Sequence, residues 1–318
     1  MASTNHHLSK SEVVEEMPLA CADEQAAILF FEKQRWGSAP RCAHCESANV
    51  YTIKDRTTGE RRTDGRWRCR DCGKQYTVRV GNIMEDSPIP LHKWAYAFWS
   101  AATAKNGVSA LEMSRKIQVS YKSALFLMNR IRWAMRPSGP EPKLSGTIEA
   151  DETYIGGKPR FKGANKRGRG TRKQPVVAVL ERGGNVRTRI IPIVNAETLR
   201  AMLRDHVEPS AVVMTDGESG YRGVAEEFKA HQTVDHGAGE YVRGEVTTNT
   251  IEGFFSRVKR GMMGTYHAVS RQHLHRYLDH FEFSHDTRKL NDGERVIELI
   301  RRADGKRLFY RDPSRRAG

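Results

Sequence analysis

The stretch "IEADETYIGG" (residues 148–157) decides the fold, because it places acids inside a strand pattern. Ile148 and Ile155 are typical of a buried strand, yet Asp151 and Glu152 lie between them. A carboxylate in a core strand costs free energy unless a group of opposite charge compensates it. We therefore expect Asp151 to have a charged partner, either a cation or a nearby arginine.

The residues that follow predict an α/β domain, because strand-like and helix-like patterns alternate along the chain. The expected elements are, in order, a strand at "GTIEADETYI", two strands in "PVVAVLERGGNVRTRIIPIV" joined at Gly183-Gly184-Asn185, a helix capped at Asn195, a strand ending at Asp216, a helical stretch near "YRGVAEEF", a strand at "HQTVDH" and a helix in "TTNTIEGFFSRVKRGMMG". This order predicts a ribonuclease-H-like mixed sheet flanked by helices.

Three acids occupy positions that converge on one edge of such a sheet. Asp151 lies in the first strand, Asp216 ends the fourth, and Glu252 lies on the helix after the fifth. Carboxylate oxygens are the ligands that Mg²⁺ (or Mn²⁺) prefers, and two such ions can drive phosphoryl transfer. We predict that these acids hold divalent metal; the alternative for Asp151 is an ion pair with a nearby arginine. Glu152 points to the opposite face of the strand and is left out.

Four of the five cysteines form two Cys-x-x-Cys pairs. Cys42 and Cys45 make the first pair, and Cys69 and Cys72 follow after 23 residues. This spacing is typical of a structural zinc site, in which four thiolates leave no open position. Short strand-like runs between the pairs predict a zinc ribbon. The alternative is redox or disulfide pairing.

A helical module follows the cysteines. The stretch "SALEMSRKIQVSYKSALFLMNRIR" has the pattern of a short helix, a turn and a longer helix, with Ser109 and Ser120 as caps. Tyr121, Lys122 and Ser123 would open the second helix, which enters the major groove in a helix-turn-helix. The alternative is a plain three-helix bundle that links two domains.

The charge of the chain favours a polyanionic partner. Lys and Arg number 53 against 38 Asp and Glu, a net charge of +15, and such an excess indicates nucleic acid more often than a merely basic surface. Eight of these basic residues lie between Lys158 and Lys173. We expect Lys166, Arg167 and Arg169 to contact DNA phosphates from this loop; the alternative is a solvated loop.

Several motifs together carry a resemblance to a known family. "ADETYIGG", "TDGESGY", "TNTIEGFFSRVKRGMMGTYH" and "HLHRYLDHFEF" resemble the DDE transposases of bacterial insertion sequences, of the ISXO-like type with an N-terminal zinc ribbon. The resemblance implies Asp151, Asp216 and Glu252 as metal ligands, and Lys259 as a DNA contact, with Arg260 beside it. Related groups use Asn as the third residue, which makes Asn249 the alternative to Glu252.

The resemblance also implies a function and partners. We expect a transposase that binds the terminal inverted repeats of its element as double-stranded DNA, cleaves there with two divalent metals, and joins the 3′-hydroxyl to target DNA as a homo-oligomer. Two other interpretations remain open: a ribonuclease-H-like nuclease or resolvase that only hydrolyses nucleic acid, and a non-catalytic DNA-binding regulator. The absence of a long apolar run or signal core predicts a cytoplasmic, nucleoid-associated protein without a membrane partner.

These patterns divide the chain into successive segments. The expected segments are an N-terminal tail and helix (1–39), a zinc ribbon (40–80), a helix-turn-helix module (85–136), a linker (137–146), the catalytic domain (147–290) and a basic C-terminal tail (291–318).

Overall fold

The fold is that of a computed structural model, which describes residues 12–156, 173–216, 219–221, 223–234, 239–240 and 242–309. The basic residues Lys166, Arg167 and Arg169 lie outside the described residues, so their predicted DNA contacts stay a prediction. The chain divides into two units: the first runs to Ser138 and resumes at Arg288, and the second spans Gly139–Thr287.

The helices and strands are numbered in chain order. The helices are α1 (Glu12–Ala22), α2 (Glu24–Trp36), α3 (Leu91–Thr103), α4 (Ala110–Lys116), α5 (Tyr121–Met135), α6 (Ala196–His206), α7 (Asn249–Gly261), α8 (Leu274–Asp286) and α9 (Asp292–Ala303). The strands are β1 (Val50–Thr52), β2 (Trp67–Cys69), β3 (Gln75–Tyr76), β4 (Thr147–Ile155), β5 (Gln174–Glu181), β6 (Val186–Ile190), β7 (Val212–Asp216), β8 (Ala230–Val234), β9 (Val242–Arg243) and β10 (Val246–Thr247). No helix within the described ranges is both long and apolar enough to cross a membrane.

The first unit combines a small antiparallel sheet with packed helices. Strands β1, β2 and β3 pair antiparallel around the cysteines; the two-residue strand β3 was not predicted. Helices α1, α2, α3, α5 and α9 pack on one another, with Phe31, Trp94 and Phe98 fully buried among them. This packing gives the N-terminal segments a shared apolar core.

Helix α9 lies where a basic tail was predicted over 291–318. Val296, Leu299 and Ile300 are buried at helical spacing, and Asn291 forms a capping box with Glu294. An apolar stripe at i, i+3 and i+4 stabilises a helix by burial even when its other face is highly charged. The chain therefore returns to the first unit at its C-terminal end.

The second unit is a mixed sheet flanked by helices, as predicted. The strand order is β6-β5-β4-β7-β8, with β4 antiparallel to β5 and parallel to β7. Helix α6 packs on one face of the sheet, and α7 and α8 pack on the other. This is the strand order of the ribonuclease-H-like fold, and it puts β4, the strand of Asp151, at the centre.

The turn and cap predictions for this unit are confirmed. Gly183, at φ 74°, lies in the β5–β6 hairpin, and Asn195 accepts a hydrogen bond from the Thr198 amide to cap α6. The predicted helix near "YRGVAEEF" is wrong, since Val224–Glu226 forms only a 3₁₀ turn. Gly223 precedes that turn at φ 83°, a left-handed conformation that an α-helix cannot include. The β9–β10 hairpin was not predicted.

Candidate active site

The alternation of β4 sorts its residues between the two faces of the sheet. Ile148 and Ala150 are buried in the core beneath α6. Glu149 and Asp151 point to the other face, toward α7. The strand thus presents carboxylates to one helix while its apolar residues fill the core below.

The acids predicted from the sequence lie close together. Burial, together with the charges of Asp216, Glu152 and Glu252, raises the pKa of Asp151 to about 7. Asp216 ends β7, which runs parallel beside β4 with Thr215 opposite Ala150. Like charges this close disfavour one another's ionised form, so the cluster is one that a cation would stabilise.

Helix α7 brings Glu252 to Asp151. Its apolar residues Ile251, Phe254, Phe255 and Val258 are buried at helical spacing against the sheet, whereas Glu252 in the first turn is exposed. This orientation follows from the amphipathic pattern alone.

An open cavity of about 760 Å³ lies between the strand and this helix. Its lining includes Asp151, Glu252, Lys259 and Arg260, together with Phe255, Ser256, Met263 and Gly264. Residues 252 and 259 are seven apart, about two helical turns, so they share a face as expected. The cavity therefore carries acids at one end of the helix and basic side chains at the other.

Asn249, the alternative third ligand, is the first residue of α7 and is exposed. Its backbone N–H donates a hydrogen bond to Thr247 Oγ1 at 3.1 Å. The residue is not part of the cavity lining that contains Asp151 and Glu252.

The carboxylates are of the chemical type that binds a hard divalent cation, although the only group of three or more potential ligands within 4.8 Å of one another among the described residues is the cysteine cluster. Asp151 and Glu252 line one cavity, and the Asp216 carboxylate is close enough to shift the pKa of Asp151. Carboxylate oxygens in such a group are what Mg²⁺ and Mn²⁺ bind. That Asp151, Asp216 and Glu252 together hold such a cation stays a prediction.

A different acid of β4, Glu149, pairs with an arginine. Glu149 is fully buried, and its Oε1 lies 2.7 Å from Arg182 Nε. Sequence reasoning missed this pair; a second acid two residues before Asp151 was its only signal in the sequence. Glu152, on the opposite face, accepts a hydrogen bond from the buried Tyr221 hydroxyl at 3.2 Å.

The four paired cysteines converge in the first unit. Their sulfur atoms all lie within 4.8 Å of one another, with Cys42 and Cys72 at 3.6 Å and Cys45 and Cys69 at 3.7 Å. Four sulfurs about 2.3 Å from one tetrahedral zinc would be roughly 3.8 Å apart. The cluster could hold a structural zinc, as the spacing predicted.

Helices α4 and α5 have the predicted caps. Ser109 accepts from the Glu112 amide, and Ser120 accepts from the Ser123 amide. Tyr121, Lys122 and Ser123 are all exposed in the first turn of α5. These side chains are therefore accessible to a partner of the first unit.

The fold and the site define a class: a ribonuclease-H-like domain with an acid cluster, in a chain that also carries a four-cysteine ribbon. The family model for the ISXO2-like transposase domain matches residues 143–286, and the model for the transposase zinc-ribbon domain matches residues 22–75. The chain is also similar to an uncharacterized protein in the transposable element ISH50 of Halobacterium salinarum, with 30% identity over 292 residues, 87% of this chain and 95% of that protein. The chain belongs to the ISXO2-like transposase family, which confirms the resemblance.

Two solved structures show a distant likeness. The Mos1 transposase paired-end complex with the left transposon end is 14% identical, over 60% of this chain and 69% of that chain, with a TM-score of 0.29. The Mos1 strand transfer complex is 12% identical over the same shares, with a TM-score of 0.27. Scores this low support no inference about this chain.

Proposed function

We propose that the protein is a DNA transposase that cleaves the ends of its own element and joins the freed 3′-hydroxyl to target DNA. The observation that carries the proposal is the crowding of Asp151 with Asp216 and Glu252, in a cavity whose other end is basic. Family membership supplies the reaction class, and the acid cluster supplies a place for it.

The acids come from three different elements, so the fold itself sets their spacing. Asp151 and Asp216 lie on the neighbouring parallel strands β4 and β7, and Glu252 lies on α7, which packs on β4 and β5. When bound there, divalent metal would activate the attacking hydroxyl or water and stabilise the leaving oxygen of the phosphodiester. The carboxylates of Asp151 and Glu252, which line the cavity, would orient that reaction.

Lys259 and Arg260 would hold the DNA beside the reacting phosphate. Seven residues of helix span roughly 10 Å, and both Lys259 and Glu252 line the same cavity, so Lys259 would contact the DNA backbone close to the reacting phosphate. Such contacts position the backbone without reading the base sequence.

The first unit would recognise the element's ends. Tyr121, Lys122 and Ser123 open α5 and are exposed, as a recognition helix requires for major-groove contact. The ribbon cysteines would bind zinc and stabilise the ribbon. Since an element has two ends, we expect at least two copies of the protein to act together on DNA.

A joining assay tests the proposed function. Purified protein would be incubated with Mg²⁺, labelled end DNA and a target plasmid, and the products separated by size. We expect nicked or cut ends and end-to-plasmid products, both absent in Asp216→Asn. Cleavage without any joined product would favour a hydrolytic nuclease, and end binding without cleavage would favour a regulator.

A further inference from the structure

Glu149 is a buried carboxylate that the proposed reaction does not use. Its side chain is 0% exposed and pairs with Arg182 at 2.7 Å. Burying a carboxylate costs its hydration, so such an ion pair is often no more stabilising than apolar residues of the same volume, although Arg182, with 25% of its side chain exposed, keeps part of its own hydration. Stability alone therefore does not account for this pair in the strand that carries Asp151.

The Glu149 carboxylate caps a helix from outside. Thr248, the N-cap residue of α7, makes no side-chain cap hydrogen bond. Glu149 Oε2 instead accepts from the amides of Thr250 and Ile251, each at 2.9 Å, and Oε1 accepts from Thr250 Oγ1 at 3.0 Å. The first amides of a helix have no partner within it, and an anion stabilises that end through the helix dipole.

These bonds join the two segments that carry Asp151 and Glu252. Glu149 precedes Asp151 by two residues and faces the same side of β4, and Ile251 directly precedes Glu252. The pair also reaches further back along the chain, because Arg182 donates to the carbonyls of Glu245 and Thr247 at 2.8 and 2.9 Å. One carboxylate and its arginine thus fix the entry to α7 against the central strand.

We propose that Glu149, held by Arg182, is a positioning residue that sets the spacing of Asp151 and Glu252 and hence the affinity of the site for divalent metal. The inference rests on the proposed function, since it takes these two acids as ligands. Groups that orient metal ligands typically change metal affinity or activity by 10–100-fold when they are altered. Glu149 acts through the backbone of its neighbours and touches no reacting atom.

Glu149→Gln tests this role, because the variant keeps one acceptor oxygen for the two amides but loses the charge that holds Arg182. Binding of Mn²⁺ to the full chain would be measured by calorimetry, beside thermal unfolding and metal-free binding of end DNA. We expect the dissociation constant for Mn²⁺ to rise on the order of 10-fold or more, with end binding unchanged. If the variant does not fold, Thr250→Val, which removes the hydroxyl bond alone, should show a smaller rise.

Asp286→Asn is the matched control. Asp286 pairs with Arg187 at 3.1 Å, and both side chains are largely buried. This pair joins β6 to α8, whereas Asp151 and Glu252 lie on β4 and α7. This control should lower the unfolding temperature and leave Mn²⁺ affinity as in the wild type. Wild-type Mn²⁺ affinity in Glu149→Gln or, if that variant does not fold, in Thr250→Val would overturn the inference, as would an equal loss in the control.

The experiment separates this inference from the proposed function. If Glu252→Gln loses Mn²⁺ binding while Glu149→Gln keeps it, the proposed metal site is supported and the positioning role of Glu149 is wrong. If Asp151→Asn and Glu252→Gln both bind Mn²⁺ as the wild type does, the acid site itself is wrong.

Discussion

Asp151 and Glu149 lie on the same face of one strand, yet their surroundings assign them different roles. Glu149 is fully buried, and arginine and amide donors compensate its charge. Burial raises the pKa of Asp151, and the carboxylates that it faces raise it as well. The difference lies in the partners that the fold supplies, because both residues are acids in the same strand.

Another carboxylate, Glu282 on α8, makes the stability of the second unit depend on pH. Burial and the charges of Asp279 and Asp286 raise its pKa, hydrogen bonds from Thr188 oppose the rise, and the resulting pKa is about 8. The unfolded chain releases this proton near its ordinary value of 4.5. The folded state therefore binds more protons between about pH 4.5 and 8, and stability is lost as pH rises through that window.

Glu282→Gln should remove this dependence. The variant keeps an acceptor oxygen for the Thr188 amide, which lies 2.7 Å from Glu282 Oε1, and carries no charge at any pH. Between about pH 6 and pH 9, the midpoint temperature of thermal unfolding should fall in the wild type and change less in the variant. Each kcal/mol of lost stability should lower the midpoint by roughly 2–4 °C. Parallel profiles would show that Glu282 does not titrate in this range.

At this scale the sequence predicts some side chains and not others. The strand and helix patterns direct Asp151 and Glu252 to one cavity, since alternation and amphipathicity decide which way they point. The cap that Glu149 provides for α7 could not be predicted, because the backbone N–H of Thr250, which donates to Glu149, lies 101 residues away along the chain. Pairing over such a distance depends on the packed sheet and not on local pattern.

Helices, strands and turns are likewise predictable where they depend on residues adjacent in the chain. Caps such as Asn195 and the hairpin at Gly183 were predictable, because each depends on a few adjacent residues. Helix α9 was missed because its basic residues suggested a tail, although its apolar stripe and capping box were present in the sequence. The 3₁₀ turn after Gly223 was missed because the glycine's conformation was not anticipated.

The zinc ribbon yields a prediction at the scale of an element. Cys69 is buried among the four sulfurs, and structural zinc contributes free energy of folding directly. Cys69→Ser should lose stoichiometric zinc and unfold the ribbon, as measured by metal analysis and limited proteolysis. Cys21→Ser is the control, because Cys21 is not part of the cluster; zinc content equal in both variants would contradict the four-cysteine site.

The whole molecule carries a net charge of +15, which favours DNA of any sequence through the release of counterions. Neutralising Lys166, Arg167 and Arg169 together should lower the slope of log affinity against log salt by up to about one unit for each lost phosphate contact. Preference for end DNA over random DNA should persist, because phosphate contacts carry no base information. An unchanged slope would mean that these residues do not touch DNA.

The central claim is that Asp151, Asp216 and Glu252 together hold the metal that cleaves DNA. The most direct measurement is cleavage of labelled end DNA in Mg²⁺, run beside end binding, for Glu252→Gln and Asn249→Ala. Glu252→Gln should bind the end normally and lose cleavage by on the order of 10³-fold or more, whereas Asn249→Ala should lose far less. Loss of cleavage in Asn249→Ala with an active Glu252→Gln would contradict the account and place an asparagine in the site.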